Sequence, residues 1–411
     1  MEYKKLGHIA KIQTGPFGSQ LHQSDYKPTG IPCIMPCNSG SNLNIICDNI
    51  AYISEEDLKR LAKHKTQEGD IVYSRRGDIE KCAYISSRES GWLCGTGCLK
   101  VSIDSTIALP KYVAYLLSTP ESKAWLVGNA VGTTMLNLNT TVLSDFPICL
   151  PDLDTQQKVV EIIDSIADKI ELNKRINDNL EQQAQALYKS WFVDFEPFKD
   201  GKFEESEIGL IPEGWHVGKA EDFYEINIGK TPPRKEHEWF TLDKGQNIWV
   251  SISDLGSDGR FLFDSSEYLT DKAIQKHNIV LVPEDTVLLS FKLTIGRVGI
   301  AGTQLTTNEA IARFITNSVN REYTYFLLKN FNYSKLGSTS SIATAVNSKI
   351  IKAMMVLMPS NECLLNFKKL VGPIIDGIKK NEEEILRLTK LRDTLLPKLM
   401  SGELKINEID C

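Results

Sequence analysis

The stretch VVEIIDSIADKIELNKRINDNLEQQAQALYKSW, residues 159–191, decides the fold because its apolar residues recur at alternating spacings of four and three. This heptad pattern predicts a long helix that packs along its length against another helix. Polar residues inside the pattern indicate a fixed register, since a buried polar side chain lowers stability but selects one alignment. The predicted seam consists of Val159, Ile163, Ile166, Ile170, Asn173, Asn177, Leu180, Ala184, Leu187 and Trp191.

The same pattern returns about 208 residues later, where Asn381 corresponds to Asn173. Two unrelated amphipathic helices on separate cores are the alternative interpretation, but the shared phase and the shared asparagine favour pairing. If the helices run antiparallel, we expect Asn173 and Asn381 to lie close together. Gly372-Pro373 indicates that the regular part of the second helix begins there, because proline favours a first turn. The second seam consists of Val371, Ile374, Ile378, Asn381, Ile385, Leu388, Arg392, Leu395 and Leu399.

The segments that precede the two helices also repeat. A turn leading into a strand at residues 68–74 has a counterpart at residues 284–290, and a helical pattern at 112–117 has one at 323–328. The repeated unit is therefore one mixed segment followed by one long helix, which predicts an α/β (α+β) fold. The predicted boundaries are 1–150 for the first segment, 151–197 for the first helix, 198–215 for a linker, 216–360 for the second segment, and 361–411 for the second helix and tail.

Composition limits the possible functions. The chain has no apolar run long enough to cross a membrane and no signal-peptide core at its start, so we expect a cytoplasmic location. The net charge of −6 argues against nucleic acid as a partner. However, residues 151–207 carry 7 basic and 14 acidic groups, whereas residues 1–150 carry 15 and 14. Any contact with DNA must therefore come from local basic patches.

The sequence contains no strong motif for metal binding or for catalysis. The six cysteines among the first hundred residues lack the spacing of a zinc ribbon, and buried free cysteine is the favoured interpretation, with zinc as the lesser alternative. The sequence contains no phosphate-binding loop, dinucleotide fingerprint or His-Glu-x-x-His motif. The cysteines in question are Cys33, Cys37, Cys47, Cys82, Cys94 and Cys98.

Three motifs carry a family resemblance. The stretches LYKSWFVDFEP at 187–197, IGLIPEGW at 208–215 and LLPKLMSGEL at 395–404 resemble the conserved regions of specificity subunits of type I restriction–modification systems. The twofold repeat also matches that family. The resemblance implies two target-recognition domains that each read one half of a bipartite double-stranded DNA site. It also implies that the two helices form an antiparallel coiled coil with pseudo-twofold symmetry.

The resemblance further implies a non-catalytic subunit without a cofactor of its own. The helices would set the spacing of the half-sites and dock two methyltransferase (modification) subunits, which bind S-adenosylmethionine and methylate adenine. Restriction (motor–nuclease) subunits, which use ATP and Mg²⁺, would cleave unmodified DNA. No membrane partner is implied. The alternative is a coiled-coil adaptor or scaffold that binds protein only, which the nearly neutral segments also fit.

The candidate DNA contacts lie in loops at equivalent places of the two segments. Phosphates are bound by lysine, arginine and backbone N–H groups, whereas base edges are read by arginine and by amide or hydroxyl side chains. A solvated surface side chain is the alternative interpretation for each charged residue. The candidates in the first segment are Gly18, Ser19, Arg75, Arg76, Lys81, Thr133, Thr134, Asn137 and Asn139. Those in the second are Lys230, Arg234, Lys292, Arg297, Ser338, Thr339 and Asn347.

Overall fold

The computed structural model describes residues 3–40, 42–132, 136–256, 259–316, 318–336 and 346–405 of the chain. Two compact units are present: residues 1–170 together with 387–411, and residues 171–386. Each long helix contributes to both units. Within the described residues, no helix is long and apolar enough to cross a membrane.

The strands of the first unit are β1 (Tyr3–Lys5), β2 (Ala10–Thr14), β3 (Ile31–Ile34), β4 (Ala51–Ile53), β5 (Ile71–Ser74), β6 (Cys82–Tyr84), β7 (Leu93–Cys94), β8 (Cys98–Ile103) and β9 (Pro147–Cys149). They form a four-stranded antiparallel sheet of order β2-β8-β5-β6, a three-stranded sheet of order β4-β3-β7, and the pair β1–β9. Its helices are α1 (Glu55–Arg60), α2 (Pro110–Leu117), α3 (Pro120–Asn129), α4 (Thr140–Ser144), the part of α5 (Leu153–Phe192) up to residue 170, and the end of the second long helix from residue 387.

The second unit repeats this plan. Its strands are β10 (Phe203–Ser206), β11 (Gly209–Pro212), β12 (His216–Lys219), β13 (Glu225–Ile228), β14 (Phe240–Thr241), β15 (Asn247–Val250), β16 (Phe261–Leu262), β17 (Glu267–Leu269), β18 (Val287–Ser290), β19 (Val298–Ala301), β20 (Thr306–Thr307), β21 (Ile311–Ile315) and β22 (Met355–Met358). Its central sheet has five strands in the order β13-β21-β18-β19-β16. Its helices are α6 (Ala220–Phe223), α7 (Asp271–Lys276), α8 (Arg321–Asn330), α9 (Ser348–Lys352), the part of α5 from residue 171, and the part of α10 (Asn361–Ser401) up to residue 386.

Corresponding strands confirm the predicted repeat. All four residues of β5 and all four of β18 are buried, as expected for short apolar strands in the middle of a sheet. Gly15 and Gly229 follow the equivalent strands β2 and β13. A Cβ atom on Gly15 would lie 2.0 Å from the Gly95 carbonyl oxygen, and one on Gly229 would lie 2.1 Å from that of Asn308. The same close approach of two loops therefore requires glycine in both units.

The long helix α5 forms where the heptad pattern predicts it. Asp152 caps it, since its Oδ1 accepts a hydrogen bond from the Thr155 N–H at 2.9 Å. The prediction that the regular part of α10 begins at Gly372-Pro373 is wrong, because α10 begins at Asn361 and continues through the proline. The earlier turns bury Leu364 and Phe367 in the core of the second unit. That burial offsets the backbone hydrogen bond lost at the proline.

The predicted pairing of the long helices is confirmed, with one correction to its register. In the second unit, Asn173 Nδ2 donates to Glu384 Oε2 at 2.8 Å, and Asn381 Nδ2 donates to Asn177 Oδ1 at 2.8 Å. The partner number falls along α10 as it rises along α5, so the helices are antiparallel. Asn173 and Asn381 are therefore not partners. Each asparagine instead donates its hydrogen bond to a residue about one helical turn away from the predicted partner.

Burial along the seam follows the heptad pattern. On α5, side chains at the predicted positions are buried or half-buried, and both seam asparagines are 1% exposed. The predicted seam residues that are buried are Val159, Ile163, Ile166, Ile170, Asn173, Asn177, Ala184, Val371, Ile378 and Leu399, and those that are half-buried are Leu180, Leu187, Trp191, Ile374, Asn381, Ile385, Leu388, Arg392 and Leu395.

The described cysteines of the first unit are free, and most are packed in its cores. Cys33, Cys82, Cys94 and Cys98 are buried, whereas Cys37 is exposed and Cys47 is half-buried. Burial raises the pKa of Cys33, Cys82 and Cys94 to about 12. These three thiols therefore remain protonated near neutral pH and act as small apolar side chains.

Candidate nucleic-acid interface

Three loops of the first unit meet at one end of its four-stranded sheet. They follow β2, follow β5 and precede β8, and these three strands are neighbours. The Gly15 N–H donates to the Cys98 carbonyl at 2.9 Å, and the Arg75 N–H donates to the Gly97 carbonyl at 2.8 Å. The loops at residues 15–20, 75–81 and 95–97 therefore form one surface, here called the first loop end.

Arg75 connects this surface to a further candidate segment. Its Nε donates to Asn137 Oδ1 at 3.3 Å, and its guanidinium carbon lies 5.7 Å from the centre of the Phe17 ring. The neighbouring Arg76 forms a backbone bridge with Asn137, while its own side chain is exposed. The structure thus brings together residues from three predicted DNA-contacting loops that are far apart in the sequence.

The remaining candidates at the first loop end differ in their exposure and in whether another side chain pairs with them. Gly18 and Ser19 are exposed, and a Cβ on Gly18 would meet no atom within 4 Å in the described structure. Gly77 has φ +79° and also faces open space. Lys81 is held by Asp78, with Nζ 3.0 Å from Oδ2. Because both groups of this pair are about half exposed, it is a weak pair that a phosphate could displace.

The second unit has an equivalent surface, the second loop end. Strands β13 and β18 end beside the start of β21, where the Gly229 N–H donates to the Ile311 carbonyl at 3.2 Å and the Phe291 N–H donates to the Ala310 carbonyl at 2.9 Å. The loop at 291–297 has the same length as the loop at 75–81, and the hairpins that they close have the same register. Lys292 in this loop is exposed.

Three basic candidates of the second unit have structural partners instead. Lys230 Nζ donates to the carbonyl oxygen of Asn278 at 3.0 Å, just beyond the C-terminal end of α7. Arg234 forms a bidentate pair with Glu267, with both distances 2.8 Å. Arg297 Nη1 donates to the Ile252 carbonyl at 2.7 Å and so fixes the base of its loop.

Arg234 is also held by aromatic rings. Its guanidinium carbon lies 4.2 Å from the ring centre of Phe240 and 4.6 Å from that of Trp249. Stacking and bidentate pairing both restrict a guanidinium strongly. Arg234 therefore stabilises its own unit and is a poor candidate for contact with DNA.

Asn139 and Asn347 are helix caps in equivalent positions. Asn139 Oδ1 accepts from the Val142 N–H at 2.8 Å, and Asn347 Oδ1 accepts from the Lys349 N–H at 3.0 Å. Capping explains their recurrence in the repeat without any reference to DNA. Four other candidates, Thr133, Thr134, Ser338 and Thr339, lie outside the described residues.

Acidic side chains of α5 form hydrogen bonds and ion pairs within each unit. In the first unit, the Tyr115 hydroxyl donates to Asp164 Oδ1 at 2.5 Å and Lys111 Nζ lies 2.8 Å from Asp164 Oδ2. In the second, Arg260 Nη2 lies 2.8 Å from Glu181 Oε2. Burial raises the pKa of Glu181, but hydrogen bonds from Lys329 and Tyr325 outweigh burial and hold that pKa below its usual value. These carboxylates fasten each unit to α5, so the negative net charge does not describe the loop ends.

Sequence reasoning missed one residue of the second loop end. Leu293, which follows Lys292, is fully exposed and has φ +59°. Its position three residues after β18 matches that of Gly77 after β5. Aligning the two hairpins residue by residue would have identified it, because a leucine stands there where the turn favours glycine.

The architecture of two repeated α/β units joined to long antiparallel helices is shared with a solved protein. The crystal structure of a type I restriction–modification system S subunit from M. genitalium matches with a TM-score of 0.56 over 97% of this chain and 95% of that chain. The two sequences are 15% identical, so this likeness shows the fold alone.

The sequence itself identifies the family. The model for the type I restriction modification DNA specificity domain matches residues 1–182 and 212–363, and the chain belongs to this family. The HindI specificity subunit of Haemophilus influenzae is 25% identical, covering 91% of this chain and 95% of the relative. The MjaIX specificity subunit of Methanocaldococcus jannaschii is 27% identical, covering 99% and 94%. The chain is therefore a non-catalytic DNA-specificity component with two recognition domains, and the alternative of a protein-only adaptor is rejected.

Proposed function

We propose that each loop end reads one half of a bipartite double-stranded DNA site. The observation that carries the proposal is the meeting of loops 15–20, 75–81 and 95–97 at one sheet end, with an equivalent meeting in the second unit. Exposed basic residues occupy the same hairpin in both, at Arg76 and Lys292. A two-stranded hairpin of this kind fits the major groove, which distinguishes all four base pairs.

The residues at the loop ends have separate proposed roles. Arg75, already oriented by Asn137 and Phe17, suits a bidentate contact with guanine, because its geometry is fixed before DNA binds. Arg76 and Lys292 suit phosphate contacts, which supply affinity and salt dependence. Gly18 and Ser19 lie in a turn that leaves backbone N–H groups and a hydroxyl open to a phosphate.

The partners in this proposal are subunits of the same restriction–modification system. Two methyltransferase subunits would dock on the long helices and bind S-adenosylmethionine, and restriction subunits would supply ATP- and Mg²⁺-dependent cleavage. The target would be adenine in cytoplasmic DNA. The seam of α5 from Val159 to Trp191 is about 48 Å long at 1.5 Å per residue, or roughly 14 base pairs of duplex. The helices are therefore proposed to set the distance between the half-sites.

Salt-dependent binding tests the loop ends directly. We expect Arg76→Ala and Lys292→Ala, each in complex with the methyltransferase partner, to reduce the slope of log affinity against log salt by about one unit. Affinity should fall for all DNA sequences alike, since a phosphate contact carries no base information. Arg234→Ala is the matched control, and its salt slope should equal that of the unchanged chain.

Native salt slopes for both Arg76→Ala and Lys292→Ala would contradict the proposal, because they would show that these hairpins face away from DNA. A change in slope for Arg234→Ala instead would move the proposed surface to another side of the second unit.

A further inference from the structure

Leu293 is presented at the tip of a rigid hairpin. Its side chain is 100% exposed, and its φ of +59° lies in the left-handed region that leucine rarely adopts. The buried Ser290 holds the loop, because its hydroxyl donates to the Thr294 carbonyl at 2.6 Å and accepts from the Arg297 N–H at 3.0 Å. A strained backbone and a fully exposed apolar side chain are both unfavourable for the isolated chain.

The turn itself does not require a leucine. In the first unit the equivalent hairpin has the same seven-residue loop, and Gly77 occupies the equivalent position with φ +79°. Glycine would form the same turn in the second unit without strain. Within the described residues, the fully exposed leucine side chain therefore adds no packing to its own unit.

The surroundings of Leu293 fit a DNA duplex. Lys292 beside it is exposed and can neutralise a phosphate, and Phe291 below it is buried and fixes the hairpin. The roughly 12 Å wide major groove of undeformed DNA admits a two-stranded hairpin, whereas the roughly 6 Å wide minor groove must first be widened at a cost in free energy. The apolar group that the major groove offers is the 5-methyl group of thymine.

We propose that Leu293 contacts the 5-methyl group of a thymine in the second half-site and thereby discriminates that base. The inference rests on the proposed function and adds a specificity-determining residue that is absent from the first unit. If the complex methylates adenine, each half-site contains at least one adenine·thymine pair, so a thymine is available.

Uracil substitution isolates this contact, because uracil lacks only the methyl group. Duplexes carrying uracil in place of one thymine at a time would be titrated with the chain in complex with its methyltransferase partner. One substitution in the second half-site should weaken binding by the unchanged chain about fourfold, the value of one buried methyl-sized group. Leu293→Gly should bind the thymine and uracil duplexes equally, while its thermal stability remains at least that of the unchanged chain.

Matched controls separate this contact from general surface hydrophobicity. Leu242 is also strongly exposed, at 78%, and Leu242→Gly should keep the fourfold preference for thymine. Any effect of uracil in the first half-site should be the same with and without Leu293. The inference is overturned if Leu293→Gly retains the preference, or if no uracil in the second half-site weakens binding by the unchanged chain. Failure of the unchanged chain to prefer its natural site would instead count against the proposed function.

Discussion

Among single residues, Glu382 is a buried carboxylic acid whose environment raises its pKa. Its carboxylate is buried and accepts hydrogen bonds from the backbone N–H groups of Arg260 at 2.8 Å and Phe261 at 2.7 Å. Burial raises its pKa to about 7, although those two N–H groups and the charge of Arg260 act in the opposite direction. This contact fastens α10 to the backbone at the start of β16, at Phe261 and the residue before it.

A pH-dependent stability follows from that raised pKa. The folded protein holds a proton that the unfolded chain releases near pH 4.5, so the stabilisation is complete below that pH and is lost as pH rises through about 7. Glu382→Gln stays neutral throughout. The quantity to compare is the free energy of unfolding of Glu382→Gln minus that of the unchanged chain. We expect this difference to be larger at pH 8 than at pH 5 by roughly 1–3 kcal/mol, because each pKa unit corresponds to about 1.4 kcal/mol.

Urea unfolding at a series of pH values measures this difference. Glu383→Gln, a substitution of the exposed neighbour, is measured alongside to account for the loss of a carboxylate from the same turn of α10. A difference for Glu382→Gln that stays constant with pH would mean that burial does not raise the pKa of the Glu382 carboxyl in the folded protein.

Residue type alone could not separate DNA contacts from structural contacts. Asn139 and Asn347 were predicted to contact DNA because a short amide beside a loop suits base edges, but the same amide suits a helix cap. The partners of Arg234, which are Phe240, Trp249 and Glu267, are reached only after the strands assemble. Local sequence cannot show that such a side chain is already engaged.

At the scale of elements, the heptad pattern predicted α5 and its pairing with α10 well, because period and burial are linked directly. The predicted register of α5 against α10 differs from the observed one by about one helical turn, because two asparagines at neighbouring seam positions, Asn173 and Asn177, allow two alignments. The expectation that α10 is regular only from Gly372-Pro373 failed, because the proline rule was applied without the apolar residues Leu364 and Phe367 that precede the proline. The repeated hairpins were predicted because their order recurs.

The proposed spacing role of the helices can be tested by lengthening both. Inserting one matched heptad in α5 and in α10 keeps the seam in phase and adds about 10 Å. The preferred spacer between half-sites should then grow by about three base pairs. Overall activity should fall, because the added base pairs also rotate one half-site about the DNA axis.

Selection of preferred sites from a library with randomised spacer length measures this change. A heptad inserted in α5 alone is the control, and it should lower thermal stability because the seam loses its alignment. If the doubly lengthened chain still selects the original spacer, the helices do not set the distance.

Across the whole molecule, recognition is proposed to be divided between two units of the same plan. Each has its own sheet, its own loop end and its own acidic attachment to α5 through Asp164 or Glu181. The sequence predicted this organisation because a repeat of 208 residues is visible without a structure. Which side of each unit carries the loops depends on strand order, and strand order became known only from the folded chain.

Mapping methylated sites after exchange of one unit's recognition segment tests whether the two units read DNA independently. Residues 1–150 would be replaced by the corresponding segment of a relative with a different target, and the chimera would be expressed with the methyltransferase partner. Sequencing of methylated adenines should show that one half of the bipartite site changes while the other half and the spacer are retained. A change in both halves of the site would contradict independent reading by the two units.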